Sequence, residues 1–133
     1  MMATLTGTQL QAKTLSASLT VNDIQQSIHF FEGLGFEVEE RWEDGGTLTG
    51  VMLRAGEASI GLSQDDWKRG RDRQKGVGMR LFVSTTQDID QLARRAKDAG
   101  IALEREPHDT DWGSRAFEVT EPSGFRITIS SHT

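Results

Sequence analysis

The apolar and polar residues of this chain follow one plan twice. Leu15–Val21 alternates apolar and polar residues with a period of two, which predicts a strand with one buried face. The next stretch carries apolar residues at helical spacing, at Ile24, Ile28, Phe31 and Leu34. Asn22 or Asp23 is suited to cap this helix, and Gly33 and Gly35 are suited to end it. The first unit is therefore predicted to begin with a strand and an amphipathic helix.

Three short β segments complete this first unit. Strands are predicted over Phe36–Trp42, Thr47–Arg54 and Ala58–Ser63. They are separated by glycine-containing turns at residues 44–46 and 55–57, which favour tight hairpins. The order of elements is strand, helix, strand, strand, strand.

The second half of the chain repeats that order. A strand over Met79–Ser84 leads into a helix over residues 88–99, whose apolar positions again form one stripe. A loop is predicted over Pro107–Trp112 and a tight turn over Glu121–Gly124. Three further strands are predicted at Ile101–Glu106, Ser114–Thr120 and Phe125–Ser130.

The duplication predicts an α+β fold of two βαβββ modules within one structural domain. We expect an N-terminal tail at residues 1–14, a first module at 15–63, a connector at 64–76 and a second module at 77–133. The connector interleaves basic and acidic residues, so we interpret it as a solvated link rather than an anion site.

Composition narrows the partners of this domain. The chain has 133 residues and a formal net charge of −5. That charge argues against nucleic acid and anionic membranes, because binding phosphates needs a basic surface. The chain has no cysteine, which excludes disulfides and thiolate chemistry. It also has no apolar run of signal-peptide or membrane-span length. We therefore expect a cytoplasmic protein without nucleic-acid or membrane partners.

Four segments, in the order of the duplication, resemble the vicinal oxygen chelate superfamily. This superfamily includes glyoxalase I, extradiol dioxygenases, fosfomycin-resistance enzymes and bleomycin-resistance proteins. The matching segments are Leu19–Ile24, Phe30–Phe36, Gly76–Val83 and Phe117–Gly124. The resemblance covers residues 15–131. It implies that the two modules form a curved mixed sheet with a concave cup, with the helices on the outer face.

The resemblance also implies a place for a metal ion. In metal-dependent members, His, Glu or Gln side chains from the first and fourth strands of each module hold the ion. Carried over to this chain, those positions are Ser16, Gly61, Gly78 and Thr128. Divalent metals in such sites favour imidazole and carboxylate ligands, and none of the four residues supplies one. We therefore predict no inherited metal site and no cofactor.

Other potential metal ligands are scattered along the chain. His29 falls within the first helix, where a solvent-facing position is the better interpretation. His108, Asp109 and Asp111 lie in the predicted loop before the second hairpin, which we interpret as a polar loop. His132 lies next to the C-terminus, where fraying is usual. The sequence shows no nucleophile with a base, no phosphate loop and no carboxylate pair, so it assigns no catalytic residue.

Alternation along the predicted strands assigns other side chains to the concave cup. The candidate ligand-binding residues are Met52, Arg54, Arg80, Phe82, Trp112, Glu118, Arg126 and Thr128. One carboxylate, Glu118, cannot form ion pairs with all three arginines, so the arginines either bind an anionic group or lie solvated at the rim of the cup. Trp112 is suited either to stack on a ligand or to pack against the protein. Trp67 is interpreted as a lid or partner contact, and Trp42 as a core or interface residue.

The sequence thus predicts a protein that binds a small organic molecule. It is most similar to the metal-free, bleomycin-resistance-like branch of the family, and we expect a homodimer. The alternative is a metal-dependent lyase or dioxygenase whose ligands have moved to other positions. A third interpretation is a module whose cup is filled by its own side chains and which serves protein association.

Overall fold

The computed structural model describes residues 8–132, and this part of the chain folds as two βαβββ units. In chain order the elements are β1 (Ala17–Val21), α1 (Ile24–Leu34), β2 (Glu37–Asp44), β3 (Thr47–Ala55), β4 (Ala58–Gln64), β5 (Arg80–Thr85), α2 (Ile89–Asp98), β6 (Leu103–Asp109), β7 (Arg115–Thr120) and β8 (Arg126–Ser131). The predicted α+β fold is confirmed. The tail predicted at residues 1–14 lies partly outside the described residues.

Each module forms an open, four-stranded mixed sheet of its own. The strand orders are β1-β4-β3-β2 and β5-β8-β7-β6. In each sheet the first and last strands of the module pair in parallel, and the other pairs are antiparallel. The first strand of each module, β1 or β5, is therefore an edge strand with one unpaired side. Such edges are available for pairing with another chain.

Capping residues set the starts of both helices. Asp23 caps α1, and its carboxylate accepts hydrogen bonds from the backbone N–H groups of Gln25 and Gln26. Gly35 ends α1 with a φ of 107°, a left-handed conformation that favours glycine. Asp88 caps α2 in the same way as Asp23 caps α1. Neither described helix has the length and apolar character needed to cross a membrane.

One apolar core runs through both modules. Phe31 of α1 makes edge-to-face contacts with Phe30 and Phe36, with ring centroids 5.3 and 5.4 Å away. Gly33 allows the end of α1 to approach the end of α2. A Cβ at this position would lie 2.9 Å from side-chain atoms of both Ala99 and Ile101. The ends of the two helices therefore pack against each other where the two modules meet. The concave faces of the two sheets lie outside this shared core.

The β7–β8 turn joins the second module to the start of α1. Glu121 is 1% exposed and accepts a hydrogen bond from the hydroxyl of Ser27 on α1. Ser123 Oγ accepts a second bond from the backbone N–H of Asn22, at 2.8 Å. A buried carboxylate needs such partners, because removing it from water unpaired is costly. The turn thus fixes one module against the other.

The connector between β4 and β5 contains a buried ion cluster. Asp65 is 5% exposed and lies 2.8 Å from Lys75 Nζ and 3.0 Å from Arg73 Nη2. The hydrogen bond from Lys75 lowers the pKa of Asp65 from 3.8 to about 2. Trp67 is half-buried, with Lys75 4.7 Å and Arg71 5.0 Å from its ring centroid. The prediction of a solvated connector is therefore wrong for Asp65 and Lys75, and Trp67 is engaged within the connector itself.

Two segments differ from the pattern-based prediction. Leu15 precedes β1 and is 96% exposed, so its predicted place on the buried face of that strand is wrong. The loop predicted over Pro107–Trp112 is shorter, because β6 continues to Asp109. The pairing of β6 with β7 shifts register twice, on either side of Arg105. Such bulges add residues to one strand and hide the period-two pattern from which a strand is predicted.

Candidate functional site

The concave face of the second module carries charged and aromatic side chains in cross-strand rows. The register pairs Arg80 with Arg126, and it places Thr128 between Phe82 and Glu118. Partners in register project from the same face of a sheet. The residues that alternate with them on β7 and β8 are buried in the core, as the alternation predicts. A further row contains Ser84, Ser130, Ala116 and His108.

Several of these side chains line a cavity of about 240 Å³. Its lining residues are Arg80, Phe82, Arg105, His108, Asp109, Thr110, Asp111, Trp112, Ala116, Glu118 and Thr128. The two aromatic side chains, Phe82 and Trp112, are 63% and 64% exposed. Their rings therefore remain available to a bound molecule.

Glu118 lies between two arginines at the centre of this cavity. Arg80 Nη1 donates hydrogen bonds to Glu118 Oε1 and to Thr128 Oγ1, both at 3.1 Å. Arg105 Nη1 lies 3.7 Å from Glu118 Oε2. Both carboxylate oxygens and the threonine hydroxyl are thus occupied, which fixes the position of the Arg80 guanidinium. Glu118 is in consequence poorly placed to act as a general base.

Three of the predicted site residues lie outside the cavity. Met52 belongs to the first module, on β3. Arg54 donates through Nε to the carboxylate of Glu39 at 3.1 Å, so its predicted place around Glu118 is wrong. Arg126 lies beside the cavity as the register partner of Arg80 and is exposed. The other five predicted residues, Arg80, Phe82, Trp112, Glu118 and Thr128, line the cavity together.

The predicted set of site residues omits six of the eleven lining residues, among them Arg105 and His108. Arg105 and His108 lie on the irregular strand β6, where the bulges make side-chain direction unpredictable from alternation. His108 is half-buried, and its Nδ1 lies 2.9 Å from the carbonyl oxygen of Glu106. The prediction of His108 as a loop residue is therefore wrong. The only sequence signal for either residue is its nearness to the turn that follows β6.

A hydrogen-bonded turn holds Trp112 at the rim of the cavity. The backbone N–H of Thr110 donates to the carbonyl of Ser114 at 2.8 Å. The hydroxyl of Thr110 donates to the same carbonyl at 3.1 Å and accepts from the Ser114 N–H at 2.9 Å. The backbone and side chain of one threonine thus close the turn from both sides. Trp112 is presented by a defined turn rather than by an open loop.

The four positions implied for a metal ion do not fit one. Ser16 Oγ is hydrogen-bonded to Ser59 Oγ at 2.7 Å. Gly61 and Gly78 have no side chain, and the hydroxyl of Thr128 accepts the guanidinium bond described above. Hard divalent ions and zinc favour carboxylate or imidazole ligands over such groups. Across residues 8–132, no group of three or more His, Cys, Asp or Glu is arranged to hold a metal ion.

The concave face of the first module has small, uncharged residues at its centre. Gly61 lies between Ser18 and Met52 in the register. Trp42 is the register partner of Gly50, and its ring lies close enough that a Cβ at Gly50 would be 3.4 Å from it. Trp42 is 47% exposed, so the core alternative of its predicted role is wrong, and the interface alternative stays a prediction. The charged residues that share this face, Glu40 and Arg54, lie on β2 and β3 beside that uncharged centre.

A wider cavity, of about 880 Å³, opens between the modules near the end of β5. Apolar core residues form much of its wall, including Leu34, Phe36 and Ile129, and Arg95 and His132 lie at its rim. Its described lining residues include one hydrogen-bonded polar pair, Thr85 and Gln87 at 3.2 Å, but no ion pair and no exposed phenylalanine or tryptophan. We therefore place the candidate site in the smaller cavity, where convergent polar groups accompany exposed aromatic rings.

Comparison with solved structures identifies proteins of the same fold. TioX from Micromonospora sp. ML1 superposes with a TM-score of 0.73 at 18% identity, covering 92% of this chain and 100% of that chain. A glyoxalase/bleomycin resistance protein/dioxygenase superfamily member from Sphaerobacter thermophilus DSM 20745 has a TM-score of 0.71 at 23% identity, with coverages of 92% and 98%. A hypothetical protein from S. aureus has a TM-score of 0.71 at 18% identity, with coverages of 93% and 97%.

These identities are low enough that the structural likeness shows the fold alone. No curated protein matches the chain. The family model of the Glyoxalase/Bleomycin resistance protein/Dioxygenase superfamily, however, matches residues 13–129. This match confirms the resemblance found in the four sequence segments. The chain therefore belongs to the glyoxalase/bleomycin resistance protein/dioxygenase superfamily.

Proposed function

We propose that this protein binds a small organic molecule in the cup of its second module, as a bleomycin-resistance-like protein without a metal. The observation that carries the proposal is the cavity of about 240 Å³ in which Phe82 and Trp112 remain 63% and 64% exposed. Exposed aromatic rings offer apolar area to a ligand ring. The guanidinium of Arg80, which donates to Glu118 and Thr128, supplies an oriented positive group beside them.

We propose further that the binding form is a homodimer in the cytoplasm. Exposed apolar residues precede β1, at Leu10 and Leu15, and lie before or on β5, at Val77, Met79 and Phe82. Unpaired strand edges with apolar neighbours favour association. The cavity of about 240 Å³ is also smaller than the roughly 300–1,000 Å³ of typical ligand pockets. A second copy would supply the remaining wall through an isologous contact.

Fluorescence of Trp112 tests the binding proposal. The chain has three tryptophans, so Trp42→Phe and Trp67→Phe together leave Trp112 as the reporter. A library of aromatic compounds and glycopeptide antibiotics should contain members that change this fluorescence in a saturable way. The unmodified chain, titrated by calorimetry, should give the same affinities and serves as the control for the two substitutions. A library with no member binding more tightly than about millimolar would contradict the proposal.

A further inference from the structure

The concave face of the second module holds more positive charge than its own carboxylate balances. Arg80 and Arg105 both contact Glu118, at 3.1 and 3.7 Å. Arg126 projects from the same face, because it is the register partner of Arg80. The chain as a whole has a net charge of −5, so this local surplus runs against its composition.

The pair formed by Arg80 and Arg126 makes this surplus unfavourable in the free protein. The two residues lie directly opposite each other on neighbouring parallel strands, whose spacing is about 4.8 Å. Two like charges on such closely spaced strands repel each other. The oxygens of Glu118 are already engaged by Arg80 and Arg105. Within residues 8–132, Arg126 has no ion pair of its own, and a bound anion would relieve the repulsion.

Acidic residues beside the cavity offset part of this charge. Asp109 is bonded to Arg115 at 3.0 Å, and the same guanidinium holds Asp90 at 2.7 Å. The remaining acid, Asp111, lies exposed on the turn that presents Trp112. On the sheet face, Arg80 and Arg105 share the single carboxylate of Glu118, and Arg126 beside them has no carboxylate partner among residues 8–132.

We propose that the ligand is a planar aromatic compound that carries a carboxylate or an equivalent anion. The anion lies against Arg105 and Arg126, and the ring lies against Phe82 and Trp112. A guanidinium presents two parallel N–H donors that match a carboxylate. Arg80 is already held by Glu118 and acts as a neighbouring positive charge. This inference rests on the proposed function and names the ligand class for the same site.

Three probes that share one ring system and differ in charge distinguish a preference for anions from the binding of aromatic molecules in general. 2-Naphthoate, 2-naphthylmethanol and 2-naphthylmethylamine are anionic, neutral and cationic at pH 7. Calorimetric titration of the full chain should give the tightest binding for 2-naphthoate, by about tenfold over the alcohol, as expected for a charge-assisted hydrogen bond. The preference should shrink as sodium chloride rises from about 20 to 500 mM, because salt screens exposed charges.

Substitutions of single arginines test which side chains contact the anion. Arg126→Gln and Arg105→Gln should each weaken 2-naphthoate about tenfold and leave the alcohol unchanged. Both side chains are exposed, so neither change is expected to unfold the chain. Arg94→Gln removes the same charge from the exposed side of α2 and is the matched control, in which the preference for the anion should persist.

Each outcome decides between the two proposals. Equal affinities for the three probes, or a preference for the amine, would overturn the anion class and leave small-molecule binding in place. Failure of all three probes to bind at millimolar concentration would overturn both proposals. An anion preference that survives both Arg105→Gln and Arg126→Gln would overturn the assignment of the anion to these arginines.

Discussion

The two modules share one topology and differ in what they place on the concave face. At equivalent points of the register, Gly61 lies between Ser18 and Met52, whereas Thr128 lies between Phe82 and Glu118. The first module thus presents small or uncharged groups where the second presents an aromatic ring and a carboxylate. The helix-facing side is alike in both, with Val51, Leu62, Val119 and Ile127 no more than 2% exposed.

This difference shows which side of a duplicated sheet is free to change. The helix-facing side fills a close-packed core, where a change of even one methylene is felt. The concave side borders solvent, so its residues can diverge without unfolding the module. Function in such folds resides in the side chains placed on a shared frame. The charged and aromatic set of the second module is therefore where we expect specificity to reside.

The largest expected effect separates the two faces of the second module. Phe117→Ala should lower the free energy of unfolding by about 3–5 kcal/mol, because Phe117 is 0% exposed and its loss leaves a cavity in the core. Phe82→Ala removes the same ring from the concave side and should change stability by less than about 0.5 kcal/mol. Urea denaturation measures both. Similar losses for the two variants would refute the division between the faces.

The next effect concerns the cluster of charges in the cup. Arg80→Ala should weaken 2-naphthoate by about tenfold, or about 1.4 kcal/mol, since the positive charge beside the anion is lost and Glu118 loses its hydrogen bond. Arg94→Ala, on the exposed side of α2, is the control and should leave affinity unchanged. Calorimetric titration with 2-naphthoate provides the measurement. Unchanged affinity in Arg80→Ala would remove this residue from the site.

A smaller effect should follow from loosening the turn that carries Trp112. Thr110→Val keeps the shape of the side chain but removes a hydroxyl that bonds twice to Ser114. We expect ligand affinity to fall about threefold to tenfold and acrylamide to quench Trp112 more strongly. Thr110→Ser retains the hydroxyl and should restore both properties. Loss of affinity in both variants alike would argue against positioning by the hydroxyl.

Acid should weaken the connector that joins the modules. The pKa of Asp65 is lowered from 3.8 to about 2 by its bond with Lys75. A group with a lowered folded-state pKa stabilises the protein above its unfolded pKa, and this contribution is lost as the pH falls through the folded value. Stability should therefore decline between about pH 4 and pH 2. Thermal unfolding at each pH measures the decline, and part of it should disappear in Asp65→Asn. The pKa of Asp90 is lowered by its hydrogen bond with Arg115, so Asp90 contributes to the remaining decline. An identical pH profile for the variant would contradict this role of Asp65.

Metal removal should have the smallest effect. The residues at the four implied metal positions supply no carboxylate or imidazole, so we expect dialysis against EDTA to leave affinity for 2-naphthoate unchanged. Elemental analysis of untagged protein should find no stoichiometric Zn²⁺, Ni²⁺, Fe²⁺ or Mn²⁺. One ion per chain that survives dialysis would instead favour the alternative of a metal-dependent enzyme with displaced ligands.

The assembly proposal has its own measurement. Light scattering at micromolar concentration should give twice the mass of the 133-residue chain. Met79→Glu, in the segment before β5, places a charge among the exposed apolar residues and should shift the protein toward monomer. A monomeric mass for the unmodified chain would refute the homodimer.

Much of the fold follows from hydrophobic periodicity in the sequence. Both helices, the caps of α1 and most strands lie where the pattern predicts, because each element has one side facing a core. Leu15 is an exception, since an apolar residue that follows the period still needs a neighbouring strand to be buried. The charged connector is another, because the burial of Asp65 depends on partners eight and ten residues later, Arg73 and Lys75.

The site is less predictable than the fold. Regular strands place Arg80, Phe82, Glu118 and Thr128 on the concave side, as alternation predicts. The sequence predicts Arg54 beside Glu118, whereas the structure has Arg105 there. Two bulges on β6 change the direction of the side chains on that strand, so alternation does not predict the position of Arg105. Neither the bulges nor the long-range partner of Arg54 is encoded in a local pattern. Side-chain directions on irregular strands and the partners in ion pairs are thus the features that the sequence alone does not predict.

The central claim is that ligands bind to the cup of the second module and not to the equivalent face of the first. Nuclear magnetic resonance of the ¹⁵N-labelled chain during titration with 2-naphthoate tests this claim most directly. The account predicts that the largest amide shift changes fall on β5, β7, β8 and the turn at residues 110–114. Largest changes on β3 and β4, or around the cavity between the modules, would contradict it.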